Sequence, residues 1–193
     1  MADTVITPPA RATFVVLDEP RGSLQNPDDK KFSVALLFPP NADLGELKKL
    51  AEKAVHAKFK SDIPKKMNSP FLDAEKVSLE ADKGPYAGYD EGWTLIRVST
   101  KHKPGFVDNK GQPVISAEKW AEMFRSGNWL RCEVNAYGYD TAGNKGASFG
   151  LQNVQFVRYD EPLGSVRRPA ESVFGAIEGD DGAKPESASA LFD

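Results

Sequence analysis

The alternation of apolar and polar side chains predicts a mainly β chain. Residues 12–17 (ATFVVL) and 32–38 (FSVALLF) are rich in the β-branched and aromatic residues that favour strands. Residues 93–101 (WTLIRVSTK) predict a third strand by the same composition. Residues 129–140 and 146–159 predict a hairpin that turns around the sequence DTAGNK. The pattern therefore indicates five strands.

Two helices are predicted between the strands. Apolar residues recur at helical spacing over residues 44–60, and Asp43 with Glu46 three positions later matches a capping box. Ser116 is expected to cap a second helix. Residues 61–92 contain repeated prolines and glycines and are expected to be irregular. A loop of that length in a compact domain is usually functional or mobile.

The order of these elements is typical of a small, strongly bent β-barrel. The second helix falls between the third and fourth strands, and this arrangement fits a five-stranded barrel of the oligonucleotide-binding (OB) type. A plain β-sandwich is the competing architecture. At 193 residues the chain is long enough for one domain with a substantial core. We therefore expect an OB-like domain over residues 1–170, followed by a separate tail.

The strand at residues 129–140 has one apolar face and one polar face, because side chains alternate along a strand. The even positions from Leu130 to Gly138 are all apolar or small, which predicts that they face the core. The strand at residues 93–101 repeats this pattern, except that Leu95 breaks the alternation. The odd positions of the first strand carry Trp129, Arg131, Glu133, Asn135, Tyr137 and Tyr139.

Outward-facing aromatic side chains beside basic ones favour binding of single-stranded nucleic acid. Each base offers a π-face for stacking, and basic residues follow the phosphates. Trp93 and Trp129 begin strands and could instead close the ends of the barrel, while Phe149 could belong to the core. The candidate binding residues are Trp93, Arg97, Lys101, His102, Lys103, Trp129, Arg131, Tyr137, Tyr139, Lys145 and Phe149.

Enzyme motifs give a weaker explanation of the chain. A Walker loop needs GxxxxGK[ST] before a helix, whereas strand-like sequence follows Gly143 and Gly146 here. A metal-dependent nuclease that holds magnesium with Asp90, Glu91 or Asp140 is one alternative, although acidic residues in exposed turns are the commoner explanation. A structural β-sandwich protein, such as a virion component, is another alternative.

Cysteine and hydropathy indicate an intracellular protein without a membrane partner. Cys132 is the only cysteine, and with His56 and His102 it offers too few soft ligands for a zinc site. No metal or other cofactor is therefore expected. The chain has no run of about 18 apolar residues and no signal-peptide pattern at its start.

The charge is distributed unevenly along the chain. Residues 171–193 carry six acidic residues and one lysine, a net charge of −5, so the total of −3 leaves +2 on residues 1–170. This segment is rich in Gly, Ala and Ser and is expected to be disordered, since it cannot bury enough apolar surface to fold alone. It nevertheless ends in Leu191, Phe192 and Asp193, which suggests an apolar anchor for a partner.

Two motifs resemble a family of tailed-phage single-stranded-DNA-binding proteins. The segment YGYDTAGNKGASFGLQNVQFVRYDEPLG (residues 137–164) resembles the closing region of that family, in which an aromatic strand, a GNKG turn and an SFGLxNVQ strand follow one another. KHKPGFVDNKGQPV (residues 101–114) resembles its KxxPxxVDxxGxxV loop. Tyr159-Asp160-Glu161 replaces the family's Asp-Gly-Glu, so the exit turn is expected to differ.

The resemblance implies a non-enzymatic OB-fold protein that coats single-stranded DNA, with little sequence preference, during replication, recombination and repair. It also implies that the acidic tail recruits replication proteins such as a DNA polymerase or a helicase-primase in the cytoplasm of an infected bacterium. The protein is expected to be a monomer or a dimer. The resemblance implicates Lys101, Lys103, Tyr137, Tyr139, Lys145 and Phe149 in DNA binding, and the tail residues expected to bind the partner are Asp180, Asp181, Leu191, Phe192 and Asp193.

Overall fold

The computed structural model describes residues 3–23, 26–141 and 143–164. Within these ranges the chain forms eight strands and three helices. The strands are β1 (Val5–Ile6), β2 (Ala10–Arg21), β3 (Lys31–Phe38), β4 (Leu72–Asp73), β5 (Thr94–Thr100), β6 (Gly105–Val107), β7 (Trp129–Thr141) and β8 (Asn144–Arg158). The helices are α1 (Gly45–Phe59), α2 (Ala74–Leu79) and α3 (Ala117–Met123).

Five strands pair in a ring in the order β2–β3–β5–β8–β7 and back to β2. The β5–β8 pair is parallel and the other ring pairs are antiparallel. Two seams of the ring, β2–β7 and β5–β8, are only two residue pairs long, so the ring is not an evenly closed barrel. This order is that of the OB fold, a partly open Greek-key barrel. The predicted OB-type architecture is confirmed, and the β-sandwich alternative is wrong because all described strands belong to one sheet.

The helices differ from the prediction in two respects. α1 begins at Gly45, but the predicted capping box is wrong, because Asp43 Oδ1 accepts a hydrogen bond from the Gly45 N–H at 2.9 Å and the N-cap residue is Leu44. α2 and β4 lie in residues 61–92, which were expected to be irregular. α3 starts as predicted, because Ser116 Oγ accepts a hydrogen bond from the Lys119 N–H at 3.4 Å.

Most of the apolar side chains form one core inside the ring. β3 contributes Val34, Leu36 and Phe38, and α1 covers the core with its buried residues Leu47 and Leu50. Because the inward and outward positions alternate along each strand, the next residues of β3 must be covered from outside. The structure therefore needs a second layer on the outer face of the β3–β5 pair.

A second, smaller cluster supplies that layer. Ala35 and Leu37 of β3 and Leu95 of β5 are buried against Ala74 of α2 and against Tyr89, which lies between α2 and β5. Leu95 thus breaks the alternation of β5 because it packs under α2 on the outer face. The second layer covers β3 only as far as Ala35. Ser33 and Lys31, the next residues of β3 on this face, are more exposed.

Candidate nucleic-acid interface

The two faces of β7 are arranged as the alternation predicts. Leu130, Cys132 and Val134 have 0% exposed surface, whereas the Tyr137 side chain is 47% exposed on the opposite face. Tyr139, on the same face as Tyr137, is partly exposed. The prediction that β7 separates a core face from an outward aromatic face is confirmed.

Opposite these tyrosines, β8 presents only small residues. Tyr137 pairs with Ser148, Tyr139 with Gly146 and Asn135 with Gly150. The Tyr139 hydroxyl oxygen lies 3.0 Å from the point where a Cβ at Gly146 would sit, so the side chain of Tyr139 lies across that glycine. The result is a shallow floor on β8 with a tyrosine wall along one side.

The loop before β4 fixes one tyrosine of this wall. Asn68 donates its backbone N–H to the carbonyl oxygen of Lys145 at 2.8 Å and its side-chain amide to the Tyr139 hydroxyl at 3.4 Å. The Asn68 carbonyl oxygen is 2.5 Å from the Cβ position of Gly146, so this approach requires a glycine there. Gly146 lies within β8, and Gly143, with φ of +81°, is at the turn of the hairpin.

The floor of small residues continues across the sheet. Gly150 of β8 pairs with Ser99 of β5, and Ser99 pairs with Ser33 of β3. Arg97, the next outward residue of β5, is exposed and pairs with Ala35. Strands lie about 4.8 Å apart, so the four spacings from β7 to β2 span roughly 19 Å. We call this surface the outer stripe and define it by Tyr137, Tyr139, Ser148, Gly150, Ser99, Arg97, Ser33 and Phe14.

Phe14 forms the far wall of the outer stripe, and alternation alone does not predict it there. Ala12 faces the core, so a regular strand would place Phe14 in the core as well. The β2–β3 register shifts between Thr13 and Val16, and this bulge gives Phe14 a φ of +46° and leaves it 54% exposed. A bulky residue in this backbone region is strained by roughly 1–3 kcal/mol. Bulges that re-aim a side chain often lie beside functional sites.

Two tyrosines that the sequence analysis missed stand beside Phe14. The Phe14 ring meets the Tyr86 ring edge-on at 5.1 Å and the Tyr89 ring at 6.4 Å. With Arg97 and Ser33 they line a cavity of about 440 Å³ at this end of the outer stripe. Burial raises the pKa of the Tyr89 phenol above its ordinary value, although a hydrogen bond with Thr13 and the charge of Arg97 oppose the shift. Both tyrosines lie in the segment that was predicted to be irregular, where no strand pattern signals a shared face.

Basic side chains border the outer stripe in exposed ion pairs. Lys101 and Lys31 contact Asp29 at 2.7 Å and 2.6 Å, and hydrogen bonds from Lys101 and then Lys31 hold the pKa of Asp29 below its ordinary value. Lys145 contacts Asp140 at 3.3 Å near the tip of the hairpin, on the face that Ala147 and Phe149 share and not on the face of Tyr137. Exposed pairs of this kind contribute little to stability, because water and salt screen them. A phosphate group can therefore replace the carboxylate as the partner of these lysines at little cost.

Several predicted binding residues lie away from the outer stripe. Trp93 and Trp129 pack against each other at 6.3 Å; the Trp129 Nε1–H donates to Asp160 at 2.7 Å, and the Arg158 guanidinium lies over the Trp129 ring at 4.2 Å. Arg131 donates to Gln155 at 2.7 Å, six residues along β7 from Tyr137 and so about 20 Å away. The roles of these residues in DNA binding stay predictions.

Phe149 requires a correction. It was predicted both from the resemblance and from its place beside the aromatic strand to contact DNA, but only 1% of its surface is exposed. It faces the inside of the ring and meets the Phe71 ring edge-on at 5.7 Å. A base cannot stack on a ring that is enclosed on both sides, so Phe149 is a core residue. Lys103 and His102 are exposed just after β5.

The remaining predictions concern the tail and the nuclease alternative. Asp180, Asp181, Leu191, Phe192 and Asp193, and the expected boundary at residue 170, lie outside the described residues. Among the side chains that the structure describes, no group of three or more His, Cys, Asp or Glu residues is arranged to hold a metal ion. In the same part of the chain, no helix has the length and apolar character needed to cross a membrane.

Comparison with known proteins identifies the family. The family model described as "Enterobacter phage Enc34, ssDNA-binding protein" matches residues 3–184, so the predicted resemblance to phage single-stranded-DNA-binding proteins is confirmed. No curated protein sequence matches the chain.

Solved structures show the same fold. The single-stranded DNA-binding protein from bacteriophage Enc34 has a TM-score of 0.64 at 19% identity, covering 88% of this chain and 89% of that one. The Enc34 protein in complex with ssDNA has a TM-score of 0.66 at 19% identity, covering 83% and 89%. The single-stranded DNA binding protein gp2.5 encoded by bacteriophage T7 has a TM-score of 0.56 at 17% identity, covering 82% and 93%.

Proposed function

The chain belongs to the family of the Enterobacter phage Enc34 ssDNA-binding protein, and we propose that it binds single-stranded DNA across the outer stripe, with little sequence preference along most of the strand. The observation that carries this proposal is the continuity of the stripe from β7 to β2. A floor of small residues runs between the Tyr137 wall and the Phe14 wall, where the OB fold binds oligonucleotides.

The two walls and the basic border have different parts in this proposal. Bases stack on Tyr137, Tyr139 and Phe14, and the small side chains of Ser148, Ser99 and Ser33 let the strand approach the sheet closely. The side chains of Tyr139 and Asn135 lie over Gly146 and Gly150. Arg97, Lys101 and Lys145 contact phosphates, with Lys103 beside them. The sequence-independent part of the affinity then comes from these cations and falls as salt rises.

We further propose that the protein acts by binding rather than by catalysis, and that it coats DNA during phage replication, recombination and repair in the cytoplasm of the infected host. Membership of a family named for a phage ssDNA-binding protein supports this role. The net charge of −5 on residues 171–193, with the apolar Leu191 and Phe192 at its end, supports recruitment of a replication partner such as a polymerase or a helicase-primase.

Alanine substitution of Tyr137 tests the proposed site. Its ring is 47% exposed over Ser148, so its loss should leave the fold intact and weaken binding to oligo-dT by about 1–3 kcal/mol. Tyr159→Ala is the matched control, because Tyr159 is 53% exposed but packs on Phe156 at the other end of β8. The measurement is a fluorescence titration with oligo-dT beside a thermal melt of each variant.

Two outcomes would contradict the proposal. Equal affinities of wild type, Tyr137→Ala and Tyr159→Ala for oligo-dT would show that no base stacks on the β7 wall. A loss of melting temperature that accounts for the whole loss of affinity in Tyr137→Ala would show that the tyrosine supports the fold instead.

A further inference from the structure

We propose that the cavity lined by Phe14, Tyr86 and Arg97 accepts a single unstacked base and selects guanine over the other three bases. This inference rests on the proposed function, since the base must belong to a strand that lies on the outer stripe. It adds one selective position to an otherwise sequence-tolerant surface.

The cavity has the size and the walls that a base requires. Its volume of about 440 Å³ is within the range of small-ligand sites, and it lies on the outer face of β3 and β5 with Ser33 and Ala35 in its lining. The Phe14 and Tyr86 rings meet edge-on at 5.1 Å with 83° between their planes, so they form a corner in which a base stacks on one ring and turns its own edge toward the other. Both arrangements are favourable for aromatic groups.

The walls of the cavity are held in place from both sides. The bulge in β2 forces Phe14 outward at a φ of +46°, and the surrounding structure must maintain that strained backbone. On the other side, Ser78 of α2 accepts a hydrogen bond from the Tyr86 N–H at 2.6 Å. A cavity whose aromatic walls are fixed before binding is suited to a rigid, flat ligand.

The polar lining contains one group that only donates and one that only accepts hydrogen bonds. Arg97 lines the cavity from β5 and has five N–H donors, and Glu80, just after α2, lines its rim with a side chain that is 68% exposed and whose carboxylate accepts when ionised. The nearest cation to Glu80 is Lys76 on the exposed side of α2, at 3.9 Å. That long contact leaves carboxylate acceptor capacity for a ligand.

The bases differ in how well they satisfy this pair of groups. Guanine offers two acceptors, O6 and N7, to an arginine fork, and its N1–H and exocyclic amine to a carboxylate. Cytosine and adenine each supply one amine to the carboxylate and ring acceptors to the arginine. Thymine offers its N3–H to the carboxylate and its carbonyl oxygens to the arginine, so thymine, cytosine and adenine each give Glu80 one hydrogen bond fewer than guanine does.

The location of the cavity connects it to the rest of the strand. Ser33 lines the cavity and also pairs with Ser99, which belongs to the floor of the outer stripe. A strand that crosses the floor from Tyr137 therefore reaches the cavity without leaving the protein surface. Arg97 is placed to contact either a phosphate or the base edge at this junction.

Competition between oligonucleotides of roughly 20 nucleotides, longer than the site size of one OB fold, tests the inference. One is oligo-dT, and the others carry dG, dC or dA at every fourth position. We expect wild type to bind the dG-containing strand roughly tenfold more tightly than oligo-dT, the effect of one good bidentate base contact. Glu80→Gln and Arg97→Lys should each reduce that ratio to below about threefold, because they remove the carboxylate or the arginine fork.

Glu75→Gln is the matched control, since Glu75 is exposed on the same helix and does not line the cavity. It should keep the wild-type ratio, and thermal melts should show that all three variants are folded. The inference would be overturned if wild type bound all four strands with equal affinity. It would also be overturned if Glu80→Gln kept the wild-type ratio of affinities for the dG-containing strand and oligo-dT. Failure of wild type to bind any strand would instead overturn the proposed function.

Discussion

At the scale of single residues, Cys132 shows how the core controls chemistry. It lies in the middle of β7 with 0% of its surface exposed, and burial raises the pKa of its thiol to about 12. The thiolate is the reactive form of cysteine, so both the protonation of Cys132 and its enclosure suppress reaction. We predict that the native protein reacts with a disulfide reagent such as DTNB near pH 8 only as fast as the fold opens and exposes Cys132.

The absence of any other cysteine makes this measurement simple to interpret, because all absorbance change reports on one thiol. The same protein in concentrated urea should react at once and to completion. Native reaction as fast as that of the unfolded chain would contradict the burial of Cys132 and the assignment of the even positions of β7 to the core.

The outward position of Phe14 could not be predicted from the sequence. Alternation along β7 correctly separated Cys132 from Tyr137 because the register shift between Glu133 and Val134 places its extra residue, Gln152, on β8 and leaves the phase of β7 unchanged. The same rule applied to β2 gives the wrong face for Phe14, because a bulge changes the phase between Ala12 and Leu17, which both face the core. A bulge depends on the partner strand, so the local pattern does not reveal it.

At the scale of elements, the packing of α1 on the hairpin depends on Gly138. A Cβ at this position would lie 2.6 Å from the Cβ of Lys58 and 2.9 Å from the carbonyl oxygen of Ala54, both fixed parts of α1. Gly138→Ala must therefore push the helix away from β7. We predict a loss of about 1–3 kcal/mol in the free energy of unfolding, measured by urea denaturation.

Gly45→Ala is the control for this prediction. Gly45 begins the same helix, and its added Cβ would meet only the tip of the Asp43 side chain at 3.1 Å, which can move. Alanine also favours the helix over glycine by roughly 0.5–1 kcal/mol, so this variant should be as stable as wild type or more stable. Equal stability of Gly138→Ala and wild type would show that α1 can slide on the hairpin without cost.

The long, strongly patterned elements were predictable, and the short ones were not. β7 and β8 pair along thirteen residue pairs, and their composition predicts a hairpin without tertiary information. α2 is six residues long, which is too short to show a helical period, and it is placed by its contacts with Leu37 and Leu95. Its capping residue Asp73, which accepts from the Lys76 N–H at 3.0 Å, was the available signal.

At the scale of the whole molecule, the ring determines how much of the site the sequence could reveal. The Tyr137 wall belongs to one hairpin and follows from its alternation. The Phe14 wall joins residues from β2, from β5 and from the loop before β5, and they meet because β3 pairs with both strands and the loop packs on that part of the sheet. The outward position of Arg97 was predictable because it lies on a patterned strand, whereas Tyr86 and Tyr89 had no pattern to place them.

The acidic segment at residues 171–193 also has an effect that involves the whole molecule. Its net charge is −5 and residues 1–170 carry +2, so the two parts attract each other electrostatically. The described chain ends at Gly164, and the preceding Leu163 packs on the second cluster beside Gly88, between the tyrosines that wall the cavity. Leu163 therefore lies close to the outer stripe, and the acidic segment, which follows it in the sequence, has a high effective concentration there because it is part of the same chain.

We therefore predict that deletion of residues 171–193 tightens binding to oligo-dT, because the carboxylates no longer compete with phosphates for Arg97 and the border lysines. The gain should be largest near 0.01 M salt, where the Debye length is about 30 Å, and small above 0.1 M, where it is about 10 Å. A full-length variant with Glu178, Asp180 and Asp181 changed to their amides should show part of the same gain, which separates charge from length. Weaker binding by the deletion variant at low salt would mean that the segment supports the DNA-binding surface instead of competing for it.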